Sequence, residues 1–243
     1  MKETLLKMKN LHHSTQAALD RTNNVQKKGL NISIYHQMVQ KTLDSHLANP
    51  LLIGDTNQHS LTISSLIISN KCENIIELGV RFGDSTVPLL FGATVLGGNS
   101  RVTSVDIESP EEQSKRIGEP IIEFDDEFNK RWKFVKQDAI SFLKEQSARI
   151  DFIFIDDWHG ENHVFEELTI IDKLVDNTSL ILLHDTMYYG NHPNYNETVM
   201  PKGHEFEGKG VYGALTRFVE EYPNYEYCTI PINHGLTILR KIK

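Results

Sequence analysis

The sequence is poor in cysteine, in basic charge and in long apolar runs, and each shortage excludes a class of protein. Two cysteines among 243 residues, Cys72 and Cys228, cannot form a disulfide framework and are typical of a reducing compartment. With 25 basic against 33 acidic side chains, the net charge of −8 leaves no basic surplus to neutralise nucleic-acid phosphates. A disulfide-stabilised secreted protein and a general nucleic-acid binder are therefore disfavoured.

No apolar stretch of the sequence is long enough to span a bilayer, and the first residues lack the apolar segment of a signal peptide. We therefore expect a cytoplasmic protein with no membrane partner. The length and the hydrophobic content of 39% suit one large α/β domain, or a core domain with an appendage.

The chain is organised around a segment that begins as a buried strand and ends as a helix. A short apolar run, Ile75-Ile76 with Leu78, is followed by Gly79 and Gly83, and then by residues that commonly open a helix at 84–86. This order places free backbone N–H groups beside the crevice at the carboxyl edge of a parallel sheet. Glycines there let a ligand approach the backbone closely, so the segment predicts a nucleotide-type cofactor site.

The glycine spacing distinguishes two kinds of cofactor. The dinucleotide pattern G-x-G-x-x-G is absent, and the order is instead Glu77, Gly79, Gly83, Ser85. A carboxylate at the strand end suits the ammonium and sulfonium groups of S-adenosylmethionine and would repel a pyrophosphate. The segment resembles the first motif of the class I S-adenosylmethionine-dependent methyltransferases, which implies that these four residues hold the cofactor. An ordinary strand-turn-helix unit is the alternative interpretation.

Two further strand ends supply candidate cofactor contacts. The second predicted strand ends at Asp106, and an acid there accepts hydrogen bonds from ribose hydroxyls in nucleotide-binding sheets. Glu108 is the competing acid for that role. The third predicted strand is followed by Asp138 and Ala139, where the resembled family contacts the adenine. Asp138 could equally be the N-cap of the helix that begins there.

Two apolar strands that both end in acids are the most informative feature for chemistry. The run 150–155 ends in Asp156, and the run 180–183 ends in His184 and Asp185. Neighbouring strands lie about 4.8 Å apart, so the two aspartates would share the cofactor crevice and repel one another unless a cation lies between them. Carboxylate oxygens with room for water suit Mg²⁺, with Mn²⁺ or Ca²⁺ as alternatives. Capping of the following helix and turn is the structural alternative.

His159 follows Asp156 by three residues and completes a second resemblance. An imidazole with an ordinary pKa of about 6.5 can take a proton from a substrate hydroxyl at neutral pH. The Asp-x-x-His turn followed by His-Asp resembles the metal-dependent O-methyltransferases of macrolide sugars, and the related cephalosporin-hydroxylase-like and catechol-type enzymes. The resemblance implies that Asp156 and Asp185 hold Mg²⁺, that Asp156 also faces the cofactor, and that His159 is the general base.

This chain departs from those relatives at position 184, where they usually carry an acid. His184 could ligate the metal, hold a metal-bound water, or be buried and hydrogen-bonded. With His159 it could also form an iron site, which we rank below Mg²⁺.

The rest of the sequence divides into an extension and the domain that carries these motifs. We predict a helical extension over residues 1–70 and an α/β domain over residues 71–243. The domain is predicted to have a doubly wound, seven-stranded, mostly parallel Rossmann-like sheet, and the resemblance places its last strand antiparallel. The extension could cover the cofactor, bind substrate or join subunits into a homo-oligomer. Residues 107–131 are predicted to be an irregular acidic insertion, and residues 186–210 a polar lid over the substrate.

The sequence supports one leading hypothesis and leaves two others open. The first is Mg²⁺-assisted methyl transfer from S-adenosylmethionine to a hydroxyl of a small molecule or sugar, in a natural product or a glycan. The second is a non-catalytic S-adenosylmethionine-binding or scaffold protein of the same fold. The third, a nicotinamide-dependent oxidoreductase, is disfavoured by the glycine spacing.

Overall fold

The computed structural model of the protein describes residues 55–117, 126–187 and 207–242, together with residues 203 and 205. All of them lie in the second of the two units into which the chain divides, Met38–Lys243. Most of the predicted extension and most of the predicted lid fall outside the described residues. The domain boundary at residues 70 and 71 and the homo-oligomer remain predictions.

A seven-stranded sheet in the order β3-β2-β1-β4-β5-β7-β6 is the centre of the fold. Its strands are β1 (Asn74–Leu78), β2 (Arg101–Asp106), β3 (Trp132–Lys136), β4 (Phe152–Ile155), β5 (Leu180–Leu183), β6 (Tyr225–Ile230) and β7 (Leu236–Lys241). Strands β1 to β5 are parallel, and β7 lies antiparallel between β5 and β6. The predicted doubly wound sheet is thereby confirmed, together with its antiparallel last strand.

Helices connect and cover these strands. Those in the described ranges are α1 (Ser60–Asn70), α2 (Thr86–Leu96), α3 (Pro110–Ile117), α4 (Asp126–Asn129), α5 (Ala139–Glu145), α6 (Glu161–Ile171) and α7 (Gly210–Glu221), and a 3-10 helix spans Asp55–His59. Helix α1 packs against α2, and α6 packs against both α5 and α7. None of the helices in these ranges combines the length and the apolar character that crossing a bilayer requires.

The two central strands are apolar because both of their faces are covered. Every residue of β4 and β5 is buried, and their sequences are Phe-Ile-Phe-Ile and Leu-Ile-Leu-Leu. A parallel strand with helices on both faces has no position for a polar side chain. Each such side chain stabilises the fold by about 1.5–3 kcal/mol on removal from water. The first polar side chains after these strands therefore lie at their carboxyl ends.

The interval between β2 and β3 differs from the prediction. It contains α3 and α4 in place of a wholly irregular insertion. Helix α3 begins at Pro110, with Glu111 and Glu112 in its first turn and Lys115 and Arg116 in its last. This order of charge complements the helix dipole, and proline is favoured at a first helical position. The prediction is wrong here because it took these charged residues as an irregular surface segment, whereas their acidic-then-basic order favours a helix.

Candidate cofactor and metal site

A pocket of about 750 Å³ opens at the carboxyl edge of the parallel strands. Predicted site residues that line it are Gly79, Ser85, Asp106, Asp138, Ala139, Asp156, His159 and Asp185. Its volume is within the range of about 300–1,000 Å³ found for small-molecule sites. Glu77, Gly83 and His184 do not line the pocket and are buried.

Glycines shape the loop that follows β1. Gly79 and Gly83 have φ angles of 85° and 95°, a region that side chains other than glycine rarely adopt. A Cβ atom on Gly79 would lie 2.2 Å from the carbonyl oxygen of Asp156. Gly79 is therefore required for a second reason, since it lets the end of β1 lie directly against the chain that leaves β4.

Asp106 holds this loop in place from the end of β2. Its Oδ2 atom accepts hydrogen bonds from the backbone N–H of Val80 and from Nε2 of Gln113, both at 2.9 Å. Its Oδ1 atom accepts from the backbone N–H of Glu108 at 3.1 Å. The competing acid, Glu108, instead forms an ion pair with Arg116 at 2.9 Å. Both acids line the pocket, and of the two it is Asp106 that orders the loop.

Glu77 is fully buried, and hydroxyl groups surround its carboxylate. Oε1 accepts a hydrogen bond from Ser85 at 2.6 Å, Oε2 accepts one from Thr86 at 2.8 Å, and Ser104 also donates to Oε2. Burial raises the pKa of Glu77 to about 7, although these hydrogen bonds oppose the shift. Glu77 thus connects β1 to β2 and to the start of α2. Direct contact with the cofactor remains a prediction that this placement does not favour.

The hydrogen bond from Ser85 to Glu77 changes how α2 begins. Ser85 occupies the N-cap position of that helix, yet its side chain makes no capping hydrogen bond. Its hydroxyl is directed to the buried carboxylate instead.

At the start of α5, by contrast, Asp138 caps the helix, since its Oδ1 accepts a hydrogen bond from the N–H of Ser141 at 2.8 Å. That backbone hydrogen bond lowers the pKa of Asp138. Asp138 and Ala139 also line the pocket, so capping and cofactor contact are compatible.

The ends of β4 and β5 bring Asp156 and Asp185 together. Ile155 and Leu183 are paired in register, so the residues that follow them leave the sheet at the same level. With His184, the two aspartates present ligand atoms that all lie within 4.8 Å of one another. Asp185 has a φ of 58°, which shows that the extended conformation of β5 has ended. His184 and Asp185 can therefore face the same hollow although they are consecutive.

Imidazole groups approach both aspartates. Nδ1 of His184 lies 3.3 Å from Oδ1 of Asp156 and 3.4 Å from Oδ1 of Asp185. Nε2 of His159 lies 3.0 Å from Oδ2 of Asp185, and Nδ1 of His234 lies 3.2 Å from its Oδ1. Burial opposes ionisation of Asp185, but the charge of His184 and the hydrogen bond with His159 lower its pKa to about 2. Asp185 is thus a carboxylate at all ordinary pH values.

His159 is in contact with three carboxylates. Besides Asp185, its ring lies 3.5 Å from Oδ1 of Asp156 and 3.2 Å from Oε1 of Glu205. Burial favours the neutral ring, but the hydrogen bonds to these acids prevail and raise the pKa of His159 well above its usual value. The ring therefore carries a proton at neutral pH beside these carboxylates.

Sequence reasoning missed two side chains of this hollow, His234 and Thr56. His234 lies in the turn between β6 and β7, and its carbonyl accepts a hydrogen bond from the N–H of Met187 at 2.7 Å. Thr56 lines the pocket and lies 3.4 Å from Oδ2 of Asp156. No local pattern marks either residue. The turn reaches the site only because β7 is inserted beside β5.

Comparison with known proteins agrees with this geometry. Residues 76–186, from β1 to the residue after Asp185, match the model of a family described as a methyltransferase domain. No curated protein sequence matches the chain significantly. Residues 76–186 are thus similar to a methyltransferase domain, and this segment contains the pocket-lining residues from Gly79 to Asp185.

Solved structures show the same fold at low sequence identity. The O-methyltransferase from Bacillus cereus in complex with SAH is 18% identical, with a TM-score of 0.56 over 86% of this chain and 90% of that one. The SAH-bound methyltransferase PaMTH1 of Podospora anserina is 16% identical, with a TM-score of 0.54 over 93% and 96%. TomG, the O-methyltransferase from Streptomyces achromogenes involved in tomaymycin synthesis, solved with SAM, is 16% identical, with a TM-score of 0.55 over 85% and 90%.

Proposed function

We propose that the protein is an S-adenosylmethionine-dependent O-methyltransferase that binds a divalent cation at Asp156, His184 and Asp185. One observation carries the proposal: the glycine loop after β1 and the aspartates after β4 and β5 line a single pocket. The match to a methyltransferase domain supports the reaction class. Two structural neighbours, O-methyltransferases solved with SAH and with SAM, support transfer to oxygen.

The pocket suits S-adenosylmethionine in volume and in the position of its acids. When bound, the cofactor supplies an electrophilic methyl group on a sulfonium. The glycine loop would hold the methionine portion, Asp106 would accept hydrogen bonds from the ribose, and the turn at Asp138 and Ala139 would contact the adenine. The acids that line the pocket favour a cationic ligand over a pyrophosphate, which disfavours a nicotinamide cofactor.

The donor set at the aspartates fits a divalent cation. Two carboxylates and an imidazole offer oxygen and nitrogen atoms within 4.8 Å of one another, and carboxylates this close need compensation by positive charge. Oxygen ligands suit Mg²⁺, and the imidazole of His184 makes Mn²⁺ equally acceptable. When bound, such a cation would orient a substrate hydroxyl and lower its pKa.

His159 is placed to accept the proton of that hydroxyl. Its ring lines the pocket and contacts both aspartates. Two of the three acids that raise its pKa, Asp156 and Asp185, are groups that would hold the cation. Once their charge is compensated, the imidazole returns towards its ordinary pKa and can act as a base near neutral pH.

The acceptor is proposed to be a hydroxylated ring, such as a sugar or a phenolic natural product. Trp158 lines the pocket with 43% of its surface exposed, so its face is available for stacking on a planar or sugar ring. The identity of the acceptor otherwise rests on the resemblance to sugar O-methyltransferases.

The test combines binding and turnover. S-adenosylmethionine should bind saturably by calorimetry, whereas NAD should not. Transfer of a labelled methyl group to a panel of sugars and phenols should require Mg²⁺ or Mn²⁺ and stop on addition of EDTA. Cofactor binding without transfer to any acceptor would favour the non-catalytic alternative, and binding of NAD alone would favour an oxidoreductase.

A further inference from the structure

A second group of ligand side chains lies beside the proposed cation site. Asp157 follows β4, and His163 and Glu167 are four residues apart on α6; we refer to these three residues as the wall cluster. Their ligand atoms all lie within 4.8 Å of one another. Residues at positions i and i+4 of a helix share one face, a spacing that suits two ligands of one metal ion. None of the three belongs to the sites predicted above.

The wall cluster leaves buried carboxylate oxygens without hydrogen bonds. Glu167 is 0% exposed, and neither of its carboxylate oxygens accepts a hydrogen bond from a described residue; the same holds for Oδ1 of Asp157. A single imidazole nitrogen, Nε2 of His163, lies near both acids. It is 3.2 Å from Oδ2 of Asp157 and 3.4 Å from Oε1 of Glu167. Buried charge is costly unless it is fully paired, and one imidazole cannot satisfy two carboxylates. Either a proton on Glu167, whose pKa burial raises to about 8, or a bound cation compensates the second carboxylate.

The wall cluster is also accessible from the pocket. Asp157 and His163 line the pocket, whereas Glu167 is enclosed behind them. An ion held there would have protein ligands on its buried side and room for water or a substrate group on the other. This half-open arrangement is typical of catalytic metal centres.

We propose that the wall cluster is a second divalent metal site, separate from the one at Asp156 and Asp185. One imidazole and two carboxylates favour Zn²⁺ or Mn²⁺, because nitrogen ligands suit transition metals better than they suit Mg²⁺. The site would place a second cation in the wall of the pocket, where it can bind an anionic or hydroxyl group of the acceptor. This assignment does not depend on methyl transfer.

The experiment counts metal ions in the full-length protein. Protein stripped with EDTA is titrated with Zn²⁺ in the presence of excess Mg²⁺, and the bound metal is measured by mass spectrometry after gel filtration. We expect two equivalents for the wild type, one for His163→Gln/Glu167→Gln and one for Asp156→Asn/Asp185→Asn. The matched control is Glu166→Gln on the same helix, whose exposed side chain pairs with Lys144 and which should retain two equivalents.

Two results would overturn the second site. One is a single equivalent in the wild type that disappears in Asp156→Asn/Asp185→Asn. The other is a second equivalent that survives His163→Gln/Glu167→Gln, which would mean binding elsewhere on the surface. If the wall-cluster double variant does not fold, the single variants His163→Gln and Glu167→Gln take its place, each expected to lose one equivalent. Methyl-transfer assays on the same proteins report on the proposed function independently.

Discussion

The two halves of the pocket use their acids in opposite ways. In the half formed by β1 to β3, the carboxylates of Glu77, Asp106 and Asp138 accept hydrogen bonds from hydroxyl and backbone N–H donors of the chain. In the half formed by β4 and β5, Asp156 and Asp185 face imidazole rings around an open space. Acids of the first kind fix the shape of a binding loop. Acids of the second kind lie where the proposed cation and the proton of a substrate hydroxyl would bind.

The hydrogen-bonding groups around an acid therefore distinguish a structural carboxylate from a proposed functional one better than its burial does. Glu77 and Asp185 are both buried, yet burial raises the pKa of one to about 7, while neighbouring imidazoles lower the pKa of the other to about 2. The surrounding donors therefore decide which carboxylate is charged at neutral pH. Substitutions in the β4–β5 half should therefore reduce turnover, and substitutions in the β1–β3 half should reduce affinity for S-adenosylmethionine.

The largest effect is expected in the β4–β5 half. Asp185→Asn removes one charge from the proposed cation site but keeps a side chain that tolerates a positive φ. Turnover should fall by about 100-fold or more, equivalent to about 3 kcal/mol in the barrier, while affinity for S-adenosylmethionine changes by only a few fold. Steady-state kinetics and calorimetry measure the two quantities. Equal losses in both would show that the halves do not act separately.

A large loss of cofactor affinity is expected for Gly79→Ala. The new Cβ atom would meet the carbonyl oxygen of Asp156 at 2.2 Å, a contact that neither backbone can relieve without moving. We expect loss of measurable S-adenosylmethionine binding and a fall of several kcal/mol in the free energy of unfolding. Gly98→Ala is the control: Gly98 has a positive φ but no atom within 4 Å of an added Cβ, so only the cost of about 1 kcal/mol for the φ angle remains.

An intermediate effect is expected for Asp106→Asn. One oxygen is replaced by an N–H₂ group, so either the loop or the ribose loses an acceptor. Affinity for S-adenosylmethionine should fall about 10-fold, or about 1.4 kcal/mol, with little change in the turnover of saturated enzyme. Glu108→Gln, which changes the competing acid, should bind the cofactor normally. A larger loss of cofactor affinity in Glu108→Gln than in Asp106→Asn would assign the ribose contact to Glu108.

The smallest effect is a pH dependence expected at Glu77. Because burial raises its pKa from 4.5 to about 7, the folded state holds a proton that the unfolded chain releases. Its stabilising contribution is complete below pH 4.5 and is lost as the pH rises through 7. Glu77→Gln has no proton to lose, so it should gain about 1–3 kcal/mol relative to the wild type between pH 5 and pH 8.

Urea denaturation of both proteins across this pH range measures the difference. Glu226→Gln, a change of an exposed acid on β6, should follow the wild type at every pH. A constant difference between Glu77→Gln and the wild type would contradict the proposed protonation of Glu77.

Most of the fold could be predicted because its signals are local. Apolar runs define β4 and β5, and the acids at their ends are the residues that meet in the pocket. The predicted helix start at Ser85 has the right position, but the capping hydrogen bond is absent because a buried acid takes the hydroxyl. The roles of Glu77 and His234 depend on neighbours distant in the chain. A sequence pattern has no signal for such contacts.

The insertion of β7 beside β5 has a practical consequence for the last part of the chain. The turn that it forms with β6 carries His234 into contact with Asp185, so the C-terminal strands supply a wall of the proposed cation site as well as an edge of the sheet. Cleavage by a protease in this turn, or truncation before residue 236, should therefore weaken cation binding at Asp156 and Asp185. Affinity tags placed at this end need a linker that leaves both strands intact.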